Sequence, residues 1–176
     1  MIPVTILDMV FRQGKDSRIA ANAHKMQEND TNLDYGDDFI FCPADTAAEA
    51  ADKVAEYFRS FVDAYGVDNV QVLTPFRKKG EASVNALNDR LWEMVNPKSS
   101  IARELKAGNA LYREGDRIIH NKNKNDISNG DIGYITDIYQ DEDGVDLMRL
   151  SFSDGRIVEY SAEDADLIEH AYATTV

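Results

Sequence analysis

Residues 115 to 135 read Gly-Asp-Arg-Ile-Ile-His-Asn-Lys-Asn-Lys-Asn-Asp-Ile-Ser-Asn-Gly-Asp-Ile-Gly-Tyr-Ile, and no other stretch constrains the fold as much. Two β-favouring runs, 117–120 and 132–138, flank a polar, amide-rich and basic connector that ends in Asn129-Gly130. Asn and Gly tolerate positive φ where other side chains clash, so this pair predicts a tight turn. Before Gly115 the pattern alternates helix and strand. From Asn129 to about Tyr160 it is one of short strands. The chain therefore has to build two kinds of structure.

The first kind is expected to be α/β. Gly14 and the N-cap candidates Asp16 and Ser17 precede a helix of about ten residues with Ile19, Ala23 and Met26 at helical spacing, and residues 28–38 read as a polar loop. Residues 39–42, Phe-Ile-Phe-Cys, predict a buried strand ended by Pro43, with Cys42 as a small buried hydrophobe rather than a reactive thiol. Thr46-Ala-Ala-Glu49 matches a capping box, and the helix after it puts Ala47, Ala50, Val54, Phe58, Phe61 and Val62 on one face up to Gly66. Residues 70–73 give another strand. The basic loop Arg77-Lys78-Lys79-Gly80 follows it, then a helix with Val84, Leu87, Leu91 and Val95 on one face, ended by Asn96-Pro97. Strand and helix in alternation predict a parallel sheet covered by helices.

The second kind is expected to be a small barrel. Runs 132–139, 145–152 and 156–160 are joined by Asp143-Gly144 and Asp154-Gly155, both suited to tight turns. In the middle run Met148, Leu150 and Phe152 alternate with Leu147, Arg149 and Ser151, the mark of a half-buried strand. Residues 171–176 then form an apolar, β-branched strand. The chain opens on apolar positions without a preceding strand and closes on that strand without a turn, so it is expected to be cut from a longer polypeptide at both ends.

The formal charge of −13 is unevenly spread. Residues 77–124 hold eleven Lys or Arg against six Asp or Glu, whereas residues 137–169 hold two against eleven. Net charge alone does not decide the partner. The acidic third reads as a solvated barrel face away from any nucleic acid. No run of about 18 apolar residues spans a membrane and no secretory signal opens the chain, so the expected place is cytoplasmic. His24, His120 and His170 lie far apart and Cys42 is the single cysteine, which argues against a metal site. Trp92 reads as a packing residue more than a base-stacking one.

Several phrases, taken together and in order, resemble RecD-like superfamily 1 DNA helicases. They are residues 7–13, Leu-Asp-Met-Val-Phe-Arg-Gln, with Ser17-Arg18-Ile19 and Asn22-Ala23-His24, then residues 70–75, Val-Gln-Val-Leu-Thr-Pro, with Lys79-Gly80 and Leu87-Asn88. Gly115-Asp116-Arg117-Ile118-Ile119, Asn125-Asp126, residues 129–133 and residues 171–176 continue the set. The resemblance implies a RecA-like, P-loop NTPase type second motor domain, incomplete, with a parallel sheet, helices and an inserted SH3-like β-barrel. Residues 1–114 would be its first part, 115–168 the barrel and 169–176 the return strand. It implies an ATP-dependent DNA helicase that translocates on single-stranded DNA in recombination or repair. ATP and Mg2+ would be bound mainly by a first domain, since no Gly-x-x-x-x-Gly-Lys-Ser/Thr run occurs here. The fragment alone is then expected to be inactive, with single-stranded DNA and ATP as partners and further recombination or repair subunits left open.

The resemblance assigns Arg12, with Gln13, to the nucleotide. An arginine entering an interdomain cleft can hydrogen-bond a γ-phosphate and stabilise charge developing there, while the plain alternative is a loop-bracing arginine. Thr74, Pro75, Arg77, Lys78 and Lys79 lie where a strand passes into a helix and could hold DNA phosphates, or form a solvated basic loop. Lys122, Lys124, Asn129 and Gly130 could contact a single strand, or simply satisfy their own hairpin. A non-enzymatic nucleic-acid- or protein-binding module with a small barrel is the competing reading of the whole.

Overall fold

The computed structural model describes residues 17–124 and 126–175 and divides the chain into two compact units, Met1–Pro43 and Ala44–Val176. In the first, helix α1 (Arg18–Gln27) is followed by a polar segment that folds back along it. Asn22 is fully buried and uses its amide as a backbone substitute, donating to Asp34 O at 2.7 Å and accepting from Asp34 N at 2.9 Å. Ser17 sits at the N-cap but makes no side-chain cap; Asp38 accepts from the Arg18 amide at 2.8 Å instead.

The expected buried strand at residues 39–42 does not form. Phe39 exchanges two backbone hydrogen bonds with Gly36 and stacks on Tyr35, which spends its pairing groups on a local turn. Ile40, Phe41 and Cys42 are exposed, so Cys42 is not a core residue. A strand needs a neighbour for its ladder, and a β-favouring run without one has no reason to extend.

The second unit begins with α2 (Ala47–Tyr65). Thr46 Oγ1 accepts from the Glu49 amide at 3.1 Å, as the capping pattern predicts, while the Glu49 carboxylate returns to Asp45 N at 2.9 Å. Ala51, Ala55 and Phe58 are its buried residues, and Val54 and Val62 pack against the same cluster as expected, whereas Ala47 and Phe61 are exposed and Tyr57, Phe61 and Tyr65 form a ladder along the edge of the stripe. The apolar arc of α2 is wider than one stripe, so periodicity alone left its limits to packing. Strand β1 (Val72–Leu73) is shorter than residues 70–73, because the 3-10 turn Val67–Asn69 runs up to Val70.

Helix α3 (Val84–Val95) buries Val84, Leu87, Asn88 and Leu91. Beyond it comes a hairpin that alternating helix and strand did not foresee, β2 (Glu104–Ala107) and β3 (Ala110–Arg113). Next follow β4 (Arg117–His120), β5 (Ile132–Gln140), β6 (Asp146–Phe152), β7 (Ile157–Ser161), the 3-10 turn Ala162–Leu167, β8 (Ile168–His170) and β9 (Ala173–Thr174). Five strands join in one antiparallel sheet of order β7-β6-β5-β4-β8.

The sheet curls around a core of Ile118, Ile135, Met148, Leu150 and Phe152, with Leu105, Ala107 and Tyr112 of the β2–β3 hairpin packed into the same cluster. Met148, Leu150 and Phe152 are buried while Leu147, Arg149 and Ser151 are less so, as their alternation predicts. Thr136 is an extra residue between Ile135 and Asp137, a bulge that lets the long strand bend. Among the described residues the parallel pairing is confined to β1 with β9, so a RecA-like parallel sheet is not seen. A second apolar cluster sits there, joining Phe58, Leu87 and Leu91 to Tyr172 and Ala173.

Candidate nucleic-acid interface

The basic loop is built by β1, β9 and the start of α3. Thr74 N donates to Thr174 O at 3.0 Å, extending the parallel pair by one rung, and the buried Thr74 hydroxyl donates to Ala82 O at 2.7 Å across the loop. Its hydroxyl is thus committed to loop closure. Val84 N donates to Phe76 O at 2.8 Å, and Ser83 Oγ caps α3 by accepting from Ala86 N. Pro75, Arg77, Lys78 and Lys79 all project into solvent. Arg77 gives both carboxylate oxygens of Glu169 a hydrogen bond, at 2.9 and 3.0 Å. Lys78 and Lys79 make no ion pair among the described residues.

The connector is a folded turn. Gly130, at φ +95°, donates to His120 O at 2.8 Å, and Asn129 N is held by Asn123 Oδ1 at 2.7 Å. Ile127 is buried in the barrel core beneath. His120, fully buried, ties the connector to β7: Nδ1 meets Lys122 O and Nε2 lies 2.8 Å from Tyr160 Oη. A carbonyl can only accept, so Nδ1 carries the proton and Tyr160 donates to Nε2.

Both connector lysines are paired. Lys122 Nζ binds Asp166, and Lys124 Nζ lies 2.6 Å from Asp164 and 5.3 Å from the centre of the Tyr160 ring. The Asp164 carboxylate holds the Lys124 ammonium above its ordinary range. Burial works to raise the Asp164 carboxyl, but the Lys124 hydrogen bond and the Ser161 amide outweigh it and keep it below the usual carboxylate range. Asp166 is likewise lowered by Lys122. The acidic third is therefore not merely a solvated face: Asp164, Asp166 and Glu169 hold Lys124, Lys122 and Arg77. These partners lie 40, 44 and 92 residues apart, beyond any periodicity a sequence can display.

A buried carboxylate ties α3 to the strands. Asp116 is fully buried and accepts from Trp92 Nε1 at 2.6 Å, Asn96 Nδ2 at 2.6 Å and Arg113 N at 2.7 Å, with His170 Nε2 at 3.0 Å. It joins α3, the β3–β4 turn and β8 at one point. Trp92 packs under the Arg113 guanidinium at 4.0 Å and stacks on His170 at 4.8 Å. From the helix, Asn88 donates to His170 O and Ala173 O and accepts from Ala173 N, all within 2.9 Å. A cavity of about 650 Å³ opens between α3 and the β2–β3 hairpin, with Trp92, Tyr112 and His170 on its wall and Asp166 and Glu169 at its edge.

A curled five-stranded sheet, a hairpin closing its core and a folded connector invite comparison with known small barrels. Residues 87–152 match the family model of the ATP-dependent RecD-like DNA helicase SH3 domain. That match supports a RecD-like helicase relationship and gives the chain a small SH3-like domain. The SH3-like segment takes in Asn88, Trp92, Asp116 and the whole connector with Lys122, Lys124, Asn129 and Gly130; Thr74, Pro75 and residues 77–79 lie before it. Arg12 and Gln13 lie outside the described residues. Asn88, Asp116 and His120 are organising groups that the sequence does not mark as such. Only the apolar neighbourhood of Asn88 and Asp116 hinted at burial, and nothing local named their partners. No helix among the described residues is long and apolar enough to cross a membrane, and none of their His, Cys, Asp and Glu groups forms a metal cluster.

Proposed function

We propose that the chain is part of the second, RecA-like motor domain of an ATP-dependent DNA helicase, with the SH3-like barrel inserted into it, and that it grips single-stranded DNA through phosphates. The observation that carries this reading is the match of residues 87–152 to the RecD-like helicase SH3 domain. The topology agrees with an insertion: β1 and β9 are neighbours in a parallel pair, although the barrel strands lie between them in sequence. Residues 1–114, 115–168 and 169–176 are then the first motor part, the barrel and the return strand, with the β2–β3 hairpin at the end of the first part completing the barrel core. Exposed Lys78 and Lys79 on the loop supply the cations that sequence-independent phosphate contacts need.

In this reading ATP and Mg2+ are held mainly by another domain of a longer, cytoplasmic protein acting in DNA recombination or repair, alone or with further subunits. The chain's own part in ATP chemistry is then played by Arg12 and Gln13. In the longer protein, Arg12→Ala is expected to abolish ATP-driven unwinding while sparing DNA binding; unchanged ATPase turnover would overturn the Arg12 assignment. A salt titration of single-strand binding by this chain tests the grip. Phosphate contacts predict that log affinity falls linearly with log salt, by about 0.7 for each phosphate held on a single strand.

The non-enzymatic module reading keeps one observation in its favour. Arg77, Lys122 and Lys124 are satisfied by carboxylates of this chain, as in a surface built to dock protein rather than DNA. Binding that ignores salt, or no binding at all, would favour it.

A further inference from the structure

The three internally paired cations all meet one short stretch of chain. Lys124 meets Asp164, Lys122 meets Asp166 and Arg77 meets Glu169, so six residues of chain running from the 3-10 turn Ala162–Leu167 into β8 collect cations from the connector and from the basic loop. Arg77 and Lys122 come from different parts of the fold, and each pairs with a carboxylate of this strip. We infer that residues 164–169 act as an internal phosphate mimic, an autoinhibitory strap whose carboxylates occupy the DNA-gripping cations until the phosphates of a polyanion take their place. The inference rests on the DNA-binding reading above and adds its regulation.

Three features carry it. A carboxylate offers a guanidinium or ammonium the same charge-assisted oxygen acceptors as a phosphate, so exchange of one for the other preserves the hydrogen bonds. The cation side chains are 50%, 55% and 40% exposed, so phosphates can reach Arg77, Lys122 and Lys124 without any unfolding. Exposed ion pairs are individually weak and readily exchanged, whereas the strip itself is held in place by the Ser161–Asp164 capping box at one end and the β4 pairing at the other. A single phosphate can displace one carboxylate at a time. A strand whose phosphates recur along its backbone can displace all three together, so the strap favours polymer over free nucleotide.

The test compares fluorescent oligo-dT binding by the whole chain and its variants across a range of salt. Asp166→Asn with Glu169→Gln removes two of the three competitors and leaves Asp164 to its capping role. This variant is expected to bind about three- to tenfold tighter than wild type, because two weak pairs no longer have to be broken. Its salt dependence should steepen by up to about 1.4 in log–log slope, since salt no longer loosens the competitor. Glu142→Gln with Asp143→Asn, on the exposed β5–β6 turn, makes the same change in net charge away from the strip. Equal tightening in that control would overturn the strap and leave only long-range charge. Unchanged affinity in the strip variant, with weakened binding in Arg77→Ala/Lys122→Ala, would overturn the strap but keep the DNA reading. Binding by Arg77→Ala/Lys122→Ala equal to wild type would sink the assignment of these cations to DNA and the strap with it. Asp166→Asn alone alters a side chain 67% exposed and keeps the test decisive should the double variant misfold.

Discussion

Asp116 concentrates more of this fold than any other side chain. It receives an indole, an amide, a backbone N–H and an imidazole from three elements in a site closed to water. Removing the acceptor leaves those donors desolvated and unpaired, which costs more than the bonds themselves contribute. Asp116→Ala is therefore expected to lower stability by about 3 kcal/mol or more, read as a fall in urea midpoint, while Trp92→Phe, which keeps the ring and loses one N–H, should cost only about 1–2 kcal/mol. Equal losses would mean that ring packing, not the carboxylate, holds the junction. Gly130 gives a contrasting case: a Cβ there would meet open space, so its φ of +95° alone makes Gly130→Ala costly, by about 1 kcal/mol. The sequence displayed the turn role of Asn129-Gly130 openly, because φ preference is a local property.

At the scale of elements, two devices set how strands meet. Asn88 on α3 exchanges hydrogen bonds with the chain on both sides of Tyr172, doing for β9 what a neighbouring strand would do. Asn88→Ala should cost about 2 kcal/mol and strip hydrogen-exchange protection from the Ala173 amide. Asn88→Asp should be worse, since a carboxylate would face the His170 and Ala173 carbonyls. The second device is Gly133, where a Cβ would stand 2.7 Å from Ser151 O across the β5–β6 pair. A backbone atom cannot rotate away, so Gly133→Ala is expected to destabilise the barrel by about 1–3 kcal/mol, measured by thermal unfolding. Elements with strong local signals, such as the capped start of α2 and the alternating β6, follow their sequence. The β2–β3 hairpin does not announce itself: its strands are four residues each and mix charged with apolar side chains, so length and pattern both fall short of a strand signal.

For the whole molecule, charge and its pairing govern the response to pH. Glu104, held by Arg113, Asp131, held by the Ser128 amide and Arg156, Asp154, held by Arg156, and Asp166, held by Lys122, all lie below the usual carboxylate range. Groups depressed in the folded state contribute stability that is present above their unfolded pKa near 4 and lost as pH falls through the folded values. Unpaired acids act the other way, since protonating them relieves the self-repulsion of a chain at −13. Thermal midpoints should therefore peak at about pH 5 and fall below about pH 4. On the alkaline side burial, with Asp68 beside it, pushes the Tyr134 phenol up to about 12, and burial raises Tyr112 and Tyr172 as well. Their stabilisation is complete below pH 10 and is lost as pH rises through the folded values, so phenolate absorbance from these rings should appear together with unfolding. Early, independent ionisation would contradict their burial. By itself the sequence determined the Gly turns, the capped start of α2 and the half-buried alternation of β6, because each depends on neighbours a few residues away. Tertiary structure alone decided where the buried arc of α2 ends, that residues 39–42 lack a strand partner, and that an acidic strip meets the basic loop and connector. Those outcomes depend on contacts across tens of residues, where neither periodicity nor composition carries information.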